Sequence, residues 1–384
     1  MCELKTTRYR PAENKNSAAA VERMRIIATA FQLLMKFFRF VIVFCVLPVF
    51  LAAETAGPVS LSDAQQKLRG ELASKVQSSE KKKAAACAEA DGWLFFAAEF
   101  RLLSLGRFWG DEAPKVSRSH KPDLADPIPA IVDFQKQLKA RGIDLLVVPV
   151  PPKAAIYPDK ILPGFDVRTQ DAAPLLHRFY EELRAAGIDV LDLTPIFIQN
   201  RDDKRGGVFC KTDSHWSGLG CVLAAQAIAE NIRGKLAAPS SRRDYVAEWK
   251  AAEIDGDLVT LLSSDSAKPA PERIEIRKVS EKGTAIEPDP NSSVLLLGDS
   301  HTLVFHDFLS ERAGLVDQLA QELGFAPALI GTRGSGATPV RINLYRHSLK
   351  NPEYLAKKKI VVWCFAAREF TEASEGWARV PIAK

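Results

Sequence analysis

Two short stretches carry residue types that could form a nucleophilic site. Asp213-Ser214-His215-Trp216-Ser217 places a carboxylate two residues ahead of an imidazole, and Gly298-Asp299-Ser300-His301 places a hydroxyl just after a glycine. In a turn, an Asp carboxylate can fold back onto a nearby imidazole and hold its tautomer, which leaves Nε2 to take a proton from a serine. Asp213, His215 and Ser300 are therefore the candidate catalytic residues, as orienting acid, base and nucleophile of a covalent acyl transfer. A third stretch, Gly331-Thr332-Arg333-Gly334-Ser335-Gly336, could bring the backbone N–H groups of Gly334 and Gly336, or the Arg333 guanidinium, to a developing oxyanion. Each stretch also has a plain reading. Asp299 or Ser300 suits a helix cap, His215 suits a surface position ahead of a helix, and the glycines suit a flexible turn.

A serine nucleophile needs a rigid element behind it. Val294-Leu295-Leu296-Leu297 is an apolar run of the length of a buried parallel strand; it stops at Gly298, and Leu303-Val304-Phe305 with Phe308-Leu309 resume at helical spacing. Ser300 is thus expected at a strand-to-helix turn, the place where open α/β sheets bind ligands and where helix N–H groups face negative charge. The rest of the chain repeats this alternation. Ile131, Phe134 and Leu138 mark a helix stopped at Gly142 and followed by a strand over 143–150; Leu175, Leu176, Phe179 and Leu183 mark another, stopped at Gly187 before a strand over 188–193. Leu219, Val222, Leu223, Ala227 and Ile228 give a helix after Ser217, and 359–365 gives a fourth strand. The expected fold class is α/β with a mostly parallel sheet. Residues 237–290, polar and proline-rich, read as an insertion. Residues 54–90 read as a linker or solvated helix without chemistry, and the folded body is expected to run from Asp91 over 91–384.

Charge narrows the function classes. The net charge of +5 arises in residues 1–53, with eight Lys/Arg against three Glu, while the remainder balances at 44 of each sign. No basic patch argues for nucleic acid. Lys36-Phe37-Phe38-Arg39, the apolar run 40–51 and Ala52-Ala53 have the layout of a secretory signal starting at Met35, so a periplasmic or otherwise exported protein is expected. In the longer form, residues 26–53 would instead stay as an inner-membrane anchor. Val43-Phe44 before Cys45 is a poor lipidation context. Export permits bridges among Cys87, Cys210, Cys221 and Cys364, with three possible pairings, and small buried thiols are the other reading.

Taken in order, these motifs resemble a family, the SGNH-hydrolase-like proteins of bacterial exopolysaccharide acetylation, among them the alginate O-acetyltransferases. The residues that carry the resemblance are Asp91-Gly92-Trp93-Leu94-Phe95, Val148-Pro149-Val150-Pro151-Pro152-Lys153, Tyr157-Pro158-Asp159-Lys160, Asp213-Ser214-His215-Trp216-Ser217, Gly256-Asp257-Leu258, Gly298-Asp299-Ser300, and Trp363 with Arg368. Ordinary SGNH hydrolases have the serine first and Asp-x-x-His last; this chain has the permuted order, with Asp-x-His upstream. The resemblance implies a three-layer SGNH or flavodoxin-like domain, with Ser300 as nucleophile, His215 as base and Asp213 as orienting acid. It also implies an exopolysaccharide acceptor, a membrane-embedded protein as acyl donor, and no cofactor or metal. Two positions depart from the family pattern: Ser214 stands where Thr is commonest, and His301, a further candidate substrate contact, stands where an aromatic residue is usual. The chain ends soon after Arg368, and no carbohydrate-binding β domain of the kind some members carry is expected.

Three other readings compete with an acyltransferase. A carbohydrate esterase would use the same triad with water as acceptor. A binuclear metallophosphoesterase would use Asp213, His215, Asp299 and His301 as ligands, but its further Asn and His motifs are not matched by Asn343 and His347. A non-catalytic polysaccharide-binding protein would need none of this chemistry.

Overall fold

The computed structural model describes residues 59–236 and 243–383. The leader, with its signal, anchor and start-site expectations at residues 1–53 and Cys45, lies outside the described residues. Helix α1, Asp63–Lys82, opens on a capping box in which Ser62 and Gln65 exchange side-chain and backbone bonds, and it ends where Lys83 turns left-handed. Although this segment reads as solvated, Leu68 and Leu72 are buried in the main core, and Gln65 Nε2 donates to the Asp171 carbonyl. Strands β1, Ala86–Ala88, and β2, Leu94–Phe96, pair antiparallel beside it.

The next two units follow the expected alternation. Helix α2, Ile128–Lys139, buries Ala130, Ile131, Phe134 and Leu138 along one face, and Gly142 at φ 69° lets the chain reverse into strand β3, Asp144–Val150. Helix α3, Pro174–Ala185, likewise leads through Gly187 into β4. Strand β4 covers only Asp189–Val190, shorter than expected, because the Asp192 carboxylate accepts from the Thr194 N–H and starts the helix Thr194–Asn200. Helix α4, Gly218–Arg233, is capped by Ser217.

Residues 243–290 of the polar segment form a long antiparallel hairpin, β5 Tyr245–Ile254 with β6 Glu272–Glu281, joined by a connection that carries Asp257. A Cβ on Gly218 would lie 2.3 Å from the Glu275 carbonyl oxygen, so glycine lets the first turn of α4 press on β6. Strand β7, Val294–Gly298, helix α5, Leu315–Leu323, strand β8, Ala328–Gly331, helix α6, Thr338–Lys350, and strand β9, Ile360–Ala366, complete the body.

The five long-range strands form one parallel sheet in the order β4-β3-β9-β7-β8. Every residue of β7 and β9 is buried, and successive side chains of a strand point to opposite faces, so both faces of the sheet are covered. The four expected strands are present; β8 is a fifth that the sequence pattern does not signal. All four cysteines among the described residues are free thiols, Cys210, Cys221 and Cys364 buried and Cys87 half-buried.

The expected helix after the nucleophile is corrected. The residues after Ser300 do not form an α-helix. Ser300–Thr302 is a single 3-10 turn, after which Phe305 (φ 63°) and Leu309 (φ 61°) adopt the left-handed conformation that stops a helix. The apolar residues at helical spacing are there because Val304 and Phe305 bury their side chains in an irregular loop, not because they share a helical face.

Candidate active site

The Asp213 segment is a pinched loop. Phe209 and Trp216 bridge antiparallel, the Cys210 N–H donates to the His215 carbonyl, and the Ser217 N–H donates to the Val208 carbonyl, so residues between them are held in a tight reversal. That reversal makes Asp213 and His215 neighbours. Asp213 Oδ1 lies 2.6 Å from His215 Nδ1 and also accepts from the His215 backbone N–H at 2.9 Å. His215 Nε2 lies 2.7 Å from Ser300 Oγ, across 85 residues of sequence. Asp213, His215 and Ser300 thus form one continuous hydrogen-bonded relay at the carboxyl end of β7, with Asp213 and His215 buried and Ser300 half-buried.

The electrostatics suit this relay. Burial pushes the Asp213 carboxyl up, but the His215 hydrogen bond and charge, with the N–H groups of Asp257 and His215, outweigh it and hold the group down at about 2. Asp213 is therefore an anion at neutral pH, able to accept from Nδ1 and stabilise an imidazolium. With Nδ1 donating to Asp213, Nε2 is left as the acceptor for the serine proton.

Asp257 is the residue that sequence reasoning did not assign. Its N–H donates to Asp213 Oδ2 at 2.9 Å, while its carboxylate accepts from the Ser214 N–H at 2.7 Å and Ser214 Oγ at 2.6 Å. Its signal in the sequence is the Gly256-Asp257-Leu258 motif, which carried no role: a Cβ on Gly256 would lie 2.1 Å from the Thr212 carbonyl oxygen, so glycine lets this connection close on the Asp213 loop. The departure at position 214 is also accounted for, since a Thr hydroxyl could make the bond to Asp257 that Ser214 makes.

The neighbouring candidates separate. Asp299 is fully buried, with Oδ1 accepting from the His301 N–H and Oδ2 from the Ala366 N–H at 2.7 Å. It fixes the turn that presents Ser300. His301 is corrected as a substrate contact: it is 1% exposed, packed between the His215 and Trp216 rings and facing Asp299. Burial first, then the His215 and Arg368 charges, lower its basicity against the opposing pull of Asp299, so it stays neutral. Gly336 packs where a Cβ would meet Phe365 and Asp299, and this holds the glycine-rich loop next to the Ser300 turn. Gly334, at φ 109°, is exposed on that loop. The exposed Arg333 guanidinium lies over the Phe308 ring, 4.4 Å from its centroid, and Phe308 in turn meets His215 edge-on at 5.6 Å.

This arrangement disfavours a binuclear metal centre. Asp213, His215 and Asp257 bring donor atoms within 4.8 Å of one another, but those atoms are engaged with the relay and with Ser214. Asp299 is not among them: its Oδ1 accepts from the His301 N–H of its own turn and its Oδ2 from the Ala366 N–H at the end of β9.

Comparison with known proteins gives the family and the fold. Residues 87–367 match the family described as ALGX, SGNH hydrolase-like domain, acetyltransferase AlgX. A probable alginate O-acetylase AlgJ of Pseudomonas aeruginosa is 31% identical over 195 residues, 49% of this chain and 44% of the relative, so that match spans under half of the relative's length. The corresponding protein of Pseudomonas putida is 26% identical over 295 residues, 71% of this chain and 73% of the relative. The solved O-acetyltransferase domain of Pseudomonas putida AlgJ shares the fold, with a TM-score of 0.57, 22% identity, and coverage of 75% of this chain and 92% of that structure. With most of its length inside the matched region, and with a parallel sheet that presents a serine to an upstream Asp-x-His pair, the chain belongs to the AlgX-type SGNH hydrolase-like acetyltransferase family.

Proposed function

We propose that this protein is an exported O-acetyltransferase that moves an acetyl group through Ser300 onto hydroxyls of an exopolysaccharide such as alginate. The observation that carries the reading is the Asp213–His215–Ser300 relay, with contacts of 2.6 and 2.7 Å, in a chain of this family. Ser300 Oγ attacks the acetyl carbonyl carbon of the donor while its proton passes to His215 Nε2; the imidazolium then protonates the leaving oxygen as the donor bond breaks. The product is an acetyl-serine. In the second half, His215 takes the proton of an acceptor hydroxyl, whose oxygen attacks the ester and releases Ser300 Oγ, which recovers its proton. The Ser300 N–H is at the first position of its turn, where a helical chain supplies no internal acceptor, and with Gly334 and Gly336 it is the candidate donor set for the oxyanion. Arg333, exposed beside Phe308, suits the carboxylate of a uronate acceptor.

The P. aeruginosa and P. putida relatives are named probable alginate O-acetylase AlgJ, and this supports alginate as the acceptor class. Activated acetyl groups are made in the cytoplasm, so an exported transferase needs a membrane-embedded protein to hand the group across. The signal-like leader over 1–53 supports a periplasmic location, and among the described residues no helix is long and apolar enough to cross a membrane.

The test is to incubate the full chain with p-nitrophenyl acetate and measure its intact mass. A gain of one acetyl group mapped to Ser300, absent from Ser300→Ala, is expected. Adding an oligouronate should then yield acetylated oligosaccharide faster than free acetate. Ester turnover retained in Ser300→Ala would overturn the serine mechanism, and acetate as sole product at saturating acceptor would identify an esterase.

A further inference from the structure

Two motifs singled out in the sequence, around Trp93 and ending at Lys153, have no part in the chemistry above, yet the structure brings both against the Asp213 loop. Lys153 is fully buried. Its Nζ donates to three backbone carbonyls: Leu94 at 2.8 Å, Lys211 at 3.3 Å and Asp213 at 2.6 Å. Three acceptors exhaust the three donors of an ammonium. The Lys153 backbone N–H donates in turn to the buried Glu99 carboxylate at 2.9 Å, and Arg368 lies on the other side of that carboxylate, 3.6 Å away. The Phe95 and Trp93 rings line the ammonium at 5.6 and 6.0 Å.

A buried ammonium is expensive to desolvate, and a methionine would fill the same space without that cost. What the ammonium supplies is direction. It ties strand β2, the chain after β3 and the Asp213 loop at a single point, and its shortest bond is to the carbonyl of the residue whose carboxylate orients His215. The charged and titratable groups facing it are Glu99, Asp213, Glu272 and Cys210.

We propose that Lys153 is a positioning residue: it acts through Asp213, fixing the main chain from which the Asp213 carboxylate meets His215. The inference rests on the triad reading given above. Displacement of that carboxylate by about an ångström is expected to lower turnover by about a hundredfold, without changing how substrate binds.

The experiment is a double-mutant cycle in the full chain, with p-nitrophenyl acetate as substrate and circular dichroism as the check on folding. Lys153→Met should lower kcat by about a hundredfold with KM unchanged. On an Asp213→Asn background the same substitution should have little further effect, because the group through which it acts is already disabled. If Lys153→Met does not fold, Lys153→Arg, which keeps charge and donors on a wider head, goes through the same cycle with the same expectation of a kcat loss that disappears beside Asp213→Asn. Wild-type kcat in a folded variant, a change confined to KM, or losses that multiply with Asp213→Asn would overturn the proposal. Ser300→Ala run alongside keeps the two readings apart: if it stays active the triad reading fails, and if it is dead while Lys153 variants are normal only the positioning role fails.

Discussion

Gly298→Ala is a sharp test of how the nucleophile is presented, because one methyl group strikes the junction between the two central strands. The new Cβ would lie 1.8 Å from the Cys364 carbonyl oxygen and 2.6 Å from Thr302 Cγ2. Ordinary contact begins at 3.4 Å, so β7 and β9 would have to part by about 1.6 Å at the point where the Asp299 N–H donates to that same carbonyl. Overpacking of a rigid site costs about 1–3 kcal/mol, and the upper end applies because the obstacle is backbone. The lost hydrogen bond adds about 1 kcal/mol. A total of about 3–4 kcal/mol is a large share of the stability of a typical domain, about 5–15 kcal/mol. At roughly 2 °C per kcal/mol for a chain of this size, the melting temperature should fall by about 6–8 °C. Ser300, two residues on, would move with the strand, and acetyl-enzyme formation should fall by about a hundredfold. Gly70→Ala is the control: nothing lies within 4 Å of a Cβ there, on the exposed side of α1, and the same substitution should stabilise by about 0.5–1 kcal/mol. Thermal melts of both variants and intact-mass measurement of acylation decide the matter. If Gly298→Ala melts within 2 °C of wild type and acylates normally, the reasoning about this junction is wrong.

Other outcomes follow from the same contacts. Asp213→Asn should lower kcat by about 10⁴-fold with the fold retained, as wrong-tautomer variants of such relays do, read by ester turnover against circular dichroism. Asp213 carries a depressed folded value of about 2, so the stability it contributes is present above its unfolded value and lost as pH falls through about 2; acid melts of Asp213→Asn should lack that last loss. Glu369 shows the opposite case: burial pushes its carboxyl up to about 7, against the hydrogen bond from Ser335 and the Arg368 charge. Its ionisation therefore costs the folded state stability as pH rises from about 4.5 to 7, and Glu369→Gln should gain on wild type by about 3 kcal/mol across that window and level off above it, in urea titrations. Exhaustive chelation should leave ester turnover unchanged; loss restored by a divalent ion would return the phosphoesterase reading.

Much of the frame was legible because its signals are local. Buried parallel strands are short apolar runs, and helices with one buried face repeat at fixed spacing, so 143–150, 294–298 and 359–365 could be placed directly. Strand β8 could not: Ala328–Gly331 is four residues long, wedged between Pro327 and the glycine loop, and its pairing with β7 is what makes it a strand. The missing helix after Ser300 has the reverse cause, since the apolar residues there satisfy the core from an irregular loop. At the site, Asp213, His215 and Ser300 were legible from residue type and position. Asp257 and Lys153 stood in motifs that carry the resemblance, but their roles were not legible, because their contacts to the loop cross 43 or more residues and a carboxylate or ammonium carries no local sign of what it will hold.

The strand order has a consequence in time. Strand β9 is the last of the sheet to leave the ribosome, yet it lies in the middle, with β3 on one side and β7 on the other. Until residue 366 is available, the two halves of the sheet have unpaired edges where they should meet, and the carbonyl of Cys364 and the N–H of Ala366 that seat Asp299 are absent. The nucleophile turn is thus assembled last although its residues are made earlier. A chain not yet extended to residue 366 holds the serine, the histidine and the aspartate, but lacks the partners that seat the serine's turn, and so it cannot act on an ester until β9 has emerged.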